Sequence, residues 1–221
     1  MFERKKRYLQ IAFNDDLESV YRILPKIPRN ERILIEAGTP FIKREGVRGI
    51  GVIAGIWRGK VVADLKTMDG ALEEVELAQK AGATAATVLG SASVETIDLF
   101  IDTCEALGIE SMVDMIGVEE PHKILVKLKK PPSVVVIHKG RDEETTRGKV
   151  IQYKHINKVR SKWDVMISVA GGVDLREARS AIFNGANIIV VNIVGREDPW
   201  TGIESDEDVA EVAIQFLRTI E

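Results

Sequence analysis

The feature that most constrains this chain is an eightfold alternation. Short apolar runs of strand length are each followed by a stretch of helical period. Strands are expected at residues 8–13, 33–36, from 60 onward, and at 85–89, 111–116, 133–137, 165–169 and 187–192. The helical patterns follow in turn. One, capped by Asp15 or Asp16, runs to about Lys26, and a short one covers 41–45. Two more span 71–81 and 93–107, stopped by Gly82 and Gly108. The remainder are read at 119–129, about 147–162, from the Asp174 cap to Phe183, and about 205–220. Strands that are apolar throughout, rather than alternating, belong to a parallel sheet covered by helices. No Pro/Gly/Ser linker or low-complexity run divides the units. Eight of them in 221 residues therefore read as one α/β domain over 1–221, a single (β/α)8 TIM barrel. An open doubly wound sheet is the alternative; it lacks its Gly-x-Gly-x-x-Gly turn after the first strand.

Composition narrows the function classes. The chain is 45% hydrophobic and 29% charged with a net charge of −3, which offers nucleic acid or an acidic membrane surface no attraction. The apolar runs are far too short to span a bilayer, and no signal-like segment follows the basic N-terminus. The lone Cys104 excludes an internal disulfide and reads as a small buried hydrophobe. A cytoplasmic protein is expected. Trp57, Trp163 and Trp200 show no stacking pattern and are assigned to packing, and His122 and His155, in helical patterns, to the surface.

Barrel chemistry sits at the C-terminal ends of the strands. Those ends carry Asn14, Glu36, Asp64 with Lys66, Asp114, His138, Gly171-Gly172 and Gly195-Arg196, in strands otherwise nearly all apolar. Asp64 and Lys66 share one side of their strand, so opposite charges meet at its mouth. An isolated Asp-x-Lys reads sooner as a salt-bridged strand end than as a site. It is the convergence of polar groups on one rim that argues for a site. Glu36 and Asp64 are hard oxygen ligands suited to Mg2+ or Mn2+. Lys66 can stabilise an enolate-type oxyanion, and His138 can act as a general acid or base. Gly171, Gly172, Gly195 and Arg196 stand where barrels commonly bind phosphate, through backbone N–H groups and a cationic clamp. Asp69 lies past the strand on the turn.

At these residues the sequence resembles the 3-hexulose-6-phosphate synthases of the orotidine-5′-monophosphate decarboxylase superfamily. The resemblance spans nearly the whole chain. It is carried by Gln10-Ile11-Ala12, Glu36-Ala37-Gly38-Thr39-Pro40, Asp64-Leu65-Lys66-Thr67-Met68-Asp69, Thr87-Val88-Leu89-Gly90, Asp114-Met115-Ile116-Gly117, His138-x-Gly140-x-Asp142-Glu143 and Ala170-Gly171-Gly172. It implies a homodimer with shared active sites, and a reversible, Mg2+-dependent aldol addition of formaldehyde to D-ribulose 5-phosphate that gives D-arabino-hex-3-ulose 6-phosphate. Glu36 and Asp64 would hold the metal, with Asn14 and Glu36 against the substrate. Lys66 would steady the enediolate beside Asp114, His138 would move the proton, and Asp69 would reach into the partner's site. Gly171, Gly172, Gly195 and Arg196 would hold the phosphate.

Three positions depart from the pattern. Asn14 stands where the family has Asp, with Asp15 adjacent; Glu144 replaces Gln; and Glu197-Asp198-Pro199 follows Gly195-Arg196 directly. Two further readings therefore stand beside the synthase. One is a decarboxylase of 3-keto-L-gulonate 6-phosphate, or with fewer matching motifs of orotidine 5′-monophosphate. The other is a sugar-phosphate-binding homologue without turnover.

Overall fold

A computed structural model of the chain describes residues 1–143 and 151–221. Eight parallel strands close into a barrel: β1 Tyr8–Phe13, β2 Ile33–Ala37, β3 Val61–Thr67, β4 Ala85–Leu89, β5 Glu110–Asp114, β6 Val134–His138, β7 Met166–Ala170 and β8 Ile188–Val194. Each strand pairs with the next, and β8 returns to β1 with Leu9 opposite Ile189. A two-residue strand, β9 (Ile203–Glu204), extends β8 on its outer end. The helices are α1 Leu17–Ile23, α2 Thr39–Trp57, α3 Ala71–Lys80, α4 Val94–Ala106, α5 Pro121–Leu125, α6 Lys154–Arg160, α7 Leu175–Phe183 and α8 Val209–Thr219. Among the described residues, no helix is long and apolar enough to cross a membrane. The (β/α)8 barrel read from the alternation is the fold observed.

The strand residues divide between two cores. Ile11, Ile35, Ala63, Val113, Val135 and Ile167 pack outward under the helices. Tyr8, Leu34, Val62, Ala85, Met112, Val134, Met166 and Ile188 fill the barrel axis. Both sets are buried, which is why the strands lack in–out alternation of polarity. The N-terminal end of the barrel is closed by Phe2. Its ring lies 5.6 Å from that of Tyr8, and its N–H donates to the buried Glu110 carboxylate at 2.6 Å.

Several helices differ from the sequence reading. The segment read at 41–45 is the start of α2, which breaks at Gly46 (φ +64°) and resumes to Trp57. Glycines at 49, 51 and 55 disguised its second half, yet Ile50, Ile53 and Trp57 recur on one buried face. Gly49 is required there: a Cβ would lie 2.6 Å from the Phe41 ring. The helix read at 119–129 is only Pro121–Leu125. Beyond it the Lys129 N–H is drawn to Asp98 Oδ1 at 3.0 Å. The last helix begins at Val209, capped by Asp208, rather than near 205. Of the segment 147–162, the described part is helical over Lys154–Arg160, and residues 147–150 lie outside the described residues. Cys104 is buried, and burial pushes its thiol up to about 12. His122 and His155 are half-buried rather than fully at the surface.

The two halves of α2 give an opposed pair of substitutions. Gly55 is exposed with nothing within 4 Å of an added Cβ, so Gly55→Ala should stabilise by about 0.5–1 kcal/mol. Gly49→Ala should destabilise by about 1–3 kcal/mol despite the better helix propensity of alanine, because the methyl meets Phe41. Urea unfolding of both variants checks the sign.

Candidate functional site

The axial residues turn from apolar to polar toward the C-terminal end of the barrel. Gln10, Glu36, Asp64, Thr87, Asp114, His138 and Asn192 line one cavity of about 330 Å3, together with Lys66, Asn14, Thr39 and residues of the loops above. Strand register explains the convergence. Glu36 is level with Ala12 of β1, Leu89 with Asp114, and His138 with Ala170. The polar ring thus caps an apolar column.

Lys66 is its centre. Its ammonium lies 2.5 Å from Asp64 Oδ2 and 3.2 Å from Asp114 Oδ2. The backbone reaches this position through a bulge between Ala63 and Thr67, with Lys66 at φ +49°, a conformation that β-carbon-bearing residues disfavour. Thr87 Oγ1 pins the bulge, accepting from the Lys66 N–H at 2.9 Å and donating to Asp64 Oδ1 at 2.8 Å. Thr39 Oγ1 lies 2.8 Å from the other Asp64 oxygen. Burial disfavours the Lys66 charge, but Asp64 and Asp114 outweigh it and hold the ammonium above the usual lysine range.

Asp114 also orients His138. Its oxygens lie 2.9 and 3.0 Å from Nδ1, and the Ile116 N–H donates to it at 3.0 Å. Burial opposes the charge on both partners of this pair. Their mutual attraction prevails, raising the imidazole and pulling the carboxyl well below its usual range. With Nδ1 committed to Asp114, Nε2 is the ring nitrogen left for a proton transfer. Glu36 behaves oppositely. Burial, then the nearby Asp64 charge, pushes its carboxyl up to about 7. Gln10 Nε2 donates to it at 2.5 Å, while Gln10 Oε1 is buried and has no partner among the described residues.

The rim residues expected from the sequence divide. Asn14, Glu36, Asp64, Lys66, Asp114, His138 and Gly171 line the cavity. Asn14 bonds to Asn192 Oδ1 at 3.0 Å, whereas Asp15 turns outward onto Arg44 at 2.9 Å and does not take its place. Gly38 makes room for Asn14, since a Cβ there would lie 2.2 Å from Asn14 Oδ1. Among the described residues, Gly172, Gly195, Arg196 and Asp69 are not part of the cavity wall. The Gly195 N–H donates to Asp198 at 2.6 Å, and the Arg196 side chain is 81% exposed, 4.0 Å from Asp206. Asp69 is exposed on the turn after β3. Glu144 lies outside the described residues.

Sequence reading missed Gln10, Thr39, Thr87 and Asn192 as site residues. Counting inward positions from Ala12 would have found Gln10, and from Ala85 would have found Thr87. Trp200 is likewise more than packing, because the Arg141 guanidinium lies 4.4 Å above its ring.

Glu36 and Asp64 fit a hard divalent cation. The donors are all oxygen, and burial together with the Asp64 charge holds the Glu36 carboxyl up against the weaker pull of Lys66, a balance that a bound cation would reverse. Among the described residues no three His, Cys, Asp or Glu side chains converge as a closed metal cage. Such an ion would keep open positions for water and ligand.

Known proteins sharpen this picture. The chain is 36% identical over 215 residues to the bifunctional enzyme Fae/Hps of Methanosarcina barkeri, and 38% identical over 215 residues to that of Methanothrix thermoacetophila. Each alignment covers 96% of this chain and 52% of the relative, so the chain spans about half the length of the curated relatives it matches. The 3-hexulose-6-phosphate synthase of Salmonella typhimurium superposes with a TM-score of 0.80 at 26% identity, covering 96% of this chain and 98% of that one. Residues 7–201 match the family model described as orotidine 5'-phosphate decarboxylase / HUMPS. With that match across the barrel, the chain belongs to the orotidine 5'-phosphate decarboxylase / HUMPS family.

Proposed function

We propose that this chain is a hexulose-6-phosphate-synthase-type lyase, joining formaldehyde to D-ribulose 5-phosphate, and cleaving the product, through an enediolate. The observation that carries the reading is one ammonium, Lys66, held between Asp64 and Asp114 at 2.5 and 3.2 Å, beside an Asp114-oriented histidine. Such a group is a fixed positive charge aimed at developing negative charge.

The reaction asks for three things. A proton must leave C1 of the ketose, the resulting enediolate oxygens must be stabilised, and the formaldehyde oxygen must gain a proton once C1 has bonded to its carbon. His138 is the group suited to proton movement, since Asp114 both fixes Nδ1 and strengthens the ring as a base. Lys66 is the stabilising charge, kept protonated by its two carboxylates. Asn14 and Asn192 offer neutral hydrogen bonds to sugar hydroxyls. A divalent ion on Glu36 and Asp64 would add Lewis-acid polarisation of the ketose oxygens. The same machinery would serve a β-keto acid decarboxylase, which also passes through an enediolate, so 3-keto-L-gulonate 6-phosphate is the alternative substrate. The Hps half of the names of the relatives at 36–38% identity, and the Salmonella synthase likeness, support the lyase. We further propose a cytoplasmic homodimer. Asp69 is exposed away from its own cavity and is flanked by the exposed apolar Met68 and Leu72, an arrangement suited to a partner's site.

Purified protein with D-ribulose 5-phosphate and Mg2+ should consume formaldehyde, and EDTA should abolish the loss. Silence in both directions, with turnover of 3-keto-L-gulonate 6-phosphate, would transfer the reading to the decarboxylase. Lys66→Ala should lower kcat at least roughly a hundredfold, the scale of one lost oxyanion donor.

Glu36→Gln should separate stability from activity. A carboxyl raised in the folded state contributes stability fully present below its unfolded value near 4.5 and lost as pH rises through about 7. In EDTA the variant should therefore melt higher than wild type at pH 8 and equally at pH 4, while its turnover with Mg2+ at pH 8 is lost. A lower melting temperature at pH 8 would show that the Glu36 charge is compensated in the apo protein.

Mixing inactive Asp69→Asn and Lys66→Ala proteins should restore part of the activity if the site is shared. No recovery in dimers shown by mass spectrometry to have exchanged subunits would argue against it.

A further inference from the structure

The two carboxylates suited to a cation are held very unequally. Asp64 is fixed at both oxygens. Thr87 Oγ1 donates to Oδ1 at 2.8 Å, while Thr39 Oγ1 lies 2.8 Å and the Lys66 ammonium 2.5 Å from Oδ2. Glu36 has one more side-chain torsion to fix. Among the described residues its carboxylate accepts one hydrogen bond, from Gln10 Nε2 to Oε2 at 2.5 Å. A long acid held at a single oxygen owes its orientation to that partner.

Strand register lets Gln10 play this part. It points inward from β1, level with Leu34 and Val190, whereas Glu36 stands level with Ala12, two residues further along. Ala12 is the next inward residue above Gln10, and its methyl leaves a path for the longer side chain to reach Glu36. Asparagine, one methylene shorter, would fall short. Gln10 is buried and lines the cavity, yet its Oε1 has no partner among the described residues. For packing alone an apolar side chain of like length would serve better, since an unmade bond on a buried amide is costly. The amide is also uncharged. It holds Glu36 without cancelling the negative charge that a cation requires, as a lysine or arginine in its place would.

We infer that Gln10 is a positioning residue of the divalent-cation site: it fixes the Glu36 carboxylate by one oxygen, leaves the other for the ion, and thereby sets the affinity of the site. The inference rests on the reading of Glu36 and Asp64 as cation ligands, not on the reaction performed beside them. Gln10 acts through Glu36. Partners that orient a metal-binding side chain in this way are worth about 10- to 100-fold in metal affinity.

Mn2+ is the probe, because the free ion gives a sharp paramagnetic resonance signal that is lost on binding, and the titration needs no turnover. Wild-type protein should bind Mn2+, Mg2+ should compete, and Glu36→Gln should bind far more weakly. Gln10→Met is apolar and of like length, and Gln10→Asn is an amide too short to reach. Each should weaken Mn2+ binding by at least about tenfold. In EDTA both should melt within a few degrees of wild type, which separates loss of the ion from loss of the fold. A fall well beyond that in both would assign Gln10 to the fold and overturn the positioning role. A smaller loss of affinity in either variant, with Glu36→Gln still impaired, would overturn it too and leave the cation site standing. No Mn2+ binding by the wild-type protein, or binding that Glu36→Gln does not weaken, would end the cation reading and this inference with it. A silent formaldehyde assay beside Gln10-dependent Mn2+ binding would end the lyase reading and leave this one standing.

Discussion

The structure of the site depends on one buried charge triad, Asp64–Lys66–Asp114. Two carboxylates on neighbouring inward positions of β3 and β5 would repel in an apolar barrel, and each would be expensive to desolvate alone. The Lys66 ammonium sits between them at 2.5 and 3.2 Å, and Asp114 passes the attraction on to His138. Removing a central charge from such a group is more damaging than replacing the whole group by apolar residues, because it strands the partners. The triad is therefore poor as a source of stability and good as a source of fixed electrostatics. Its place at the mouth of a barrel whose lower layers are mostly apolar is the place where barrel chemistry sits.

The rest of the barrel supports that arrangement by dividing its labour along the axis. The lower layers, from Tyr8 and Phe2 up to Met112 and Val190, are closed and apolar apart from groups such as the Glu110 carboxylate, which holds the Phe2 N–H. The outer core under the helices is likewise apolar. The upper layer is polar, and its side chains pair: Thr87 and Thr39 on Asp64, Gln10 on Glu36, Asn192 on Asn14. These neutral groups fix the geometry of the charged ones without altering the charge sum. Glu36 accepts a hydrogen bond from the Gln10 amide, but burial and the Asp64 charge outweigh the pull of Lys66 and His138. That leaves its carboxyl near 7, ready to ionise when a cation arrives.

Much of this was legible in the sequence because strand ends are legible. Continuous apolar runs broken by a single polar residue marked Glu36, Asp64, Asp114 and His138, and all four line the cavity. Thr39 was hidden, since a loop residue has no periodicity. Gln10 and Thr87 were hidden by sitting two places inside the strands, where only the inward count reveals them. The second half of α2 was masked by glycines whose role is tertiary: Gly49 exists for Phe41, a contact no local pattern encodes. The loop after β8 was least legible. The motif Gly195-Arg196 stands in place, but the residues after it turn the arginine outward and fold Asp198 onto the glycine, a result of loop geometry rather than of residue type.

Backbone strain supplies an independent argument for the same centre. Among the described residues, two that are not glycine have positive φ, Arg58 at +50° and Lys66 at +49°. Arg58 closes α2 as an exposed left-handed C-cap, a position that helices commonly fill this way and that binds nothing in particular. Lys66 lies inside a strand, where the same conformation interrupts the ladder and costs about 1–2 kcal/mol. Glycine would relieve that cost, and a structural salt bridge would not require it, since an unbulged strand also places Asp64 and a lysine two residues later on one side. What the bulge changes is the depth and direction of the ammonium. It is turned onto Asp114, across the width of β4, and is anchored there by Thr87. A strained residue held by partners on two other strands is explained by the position of its charge, and that position suits the proposed enediolate chemistry.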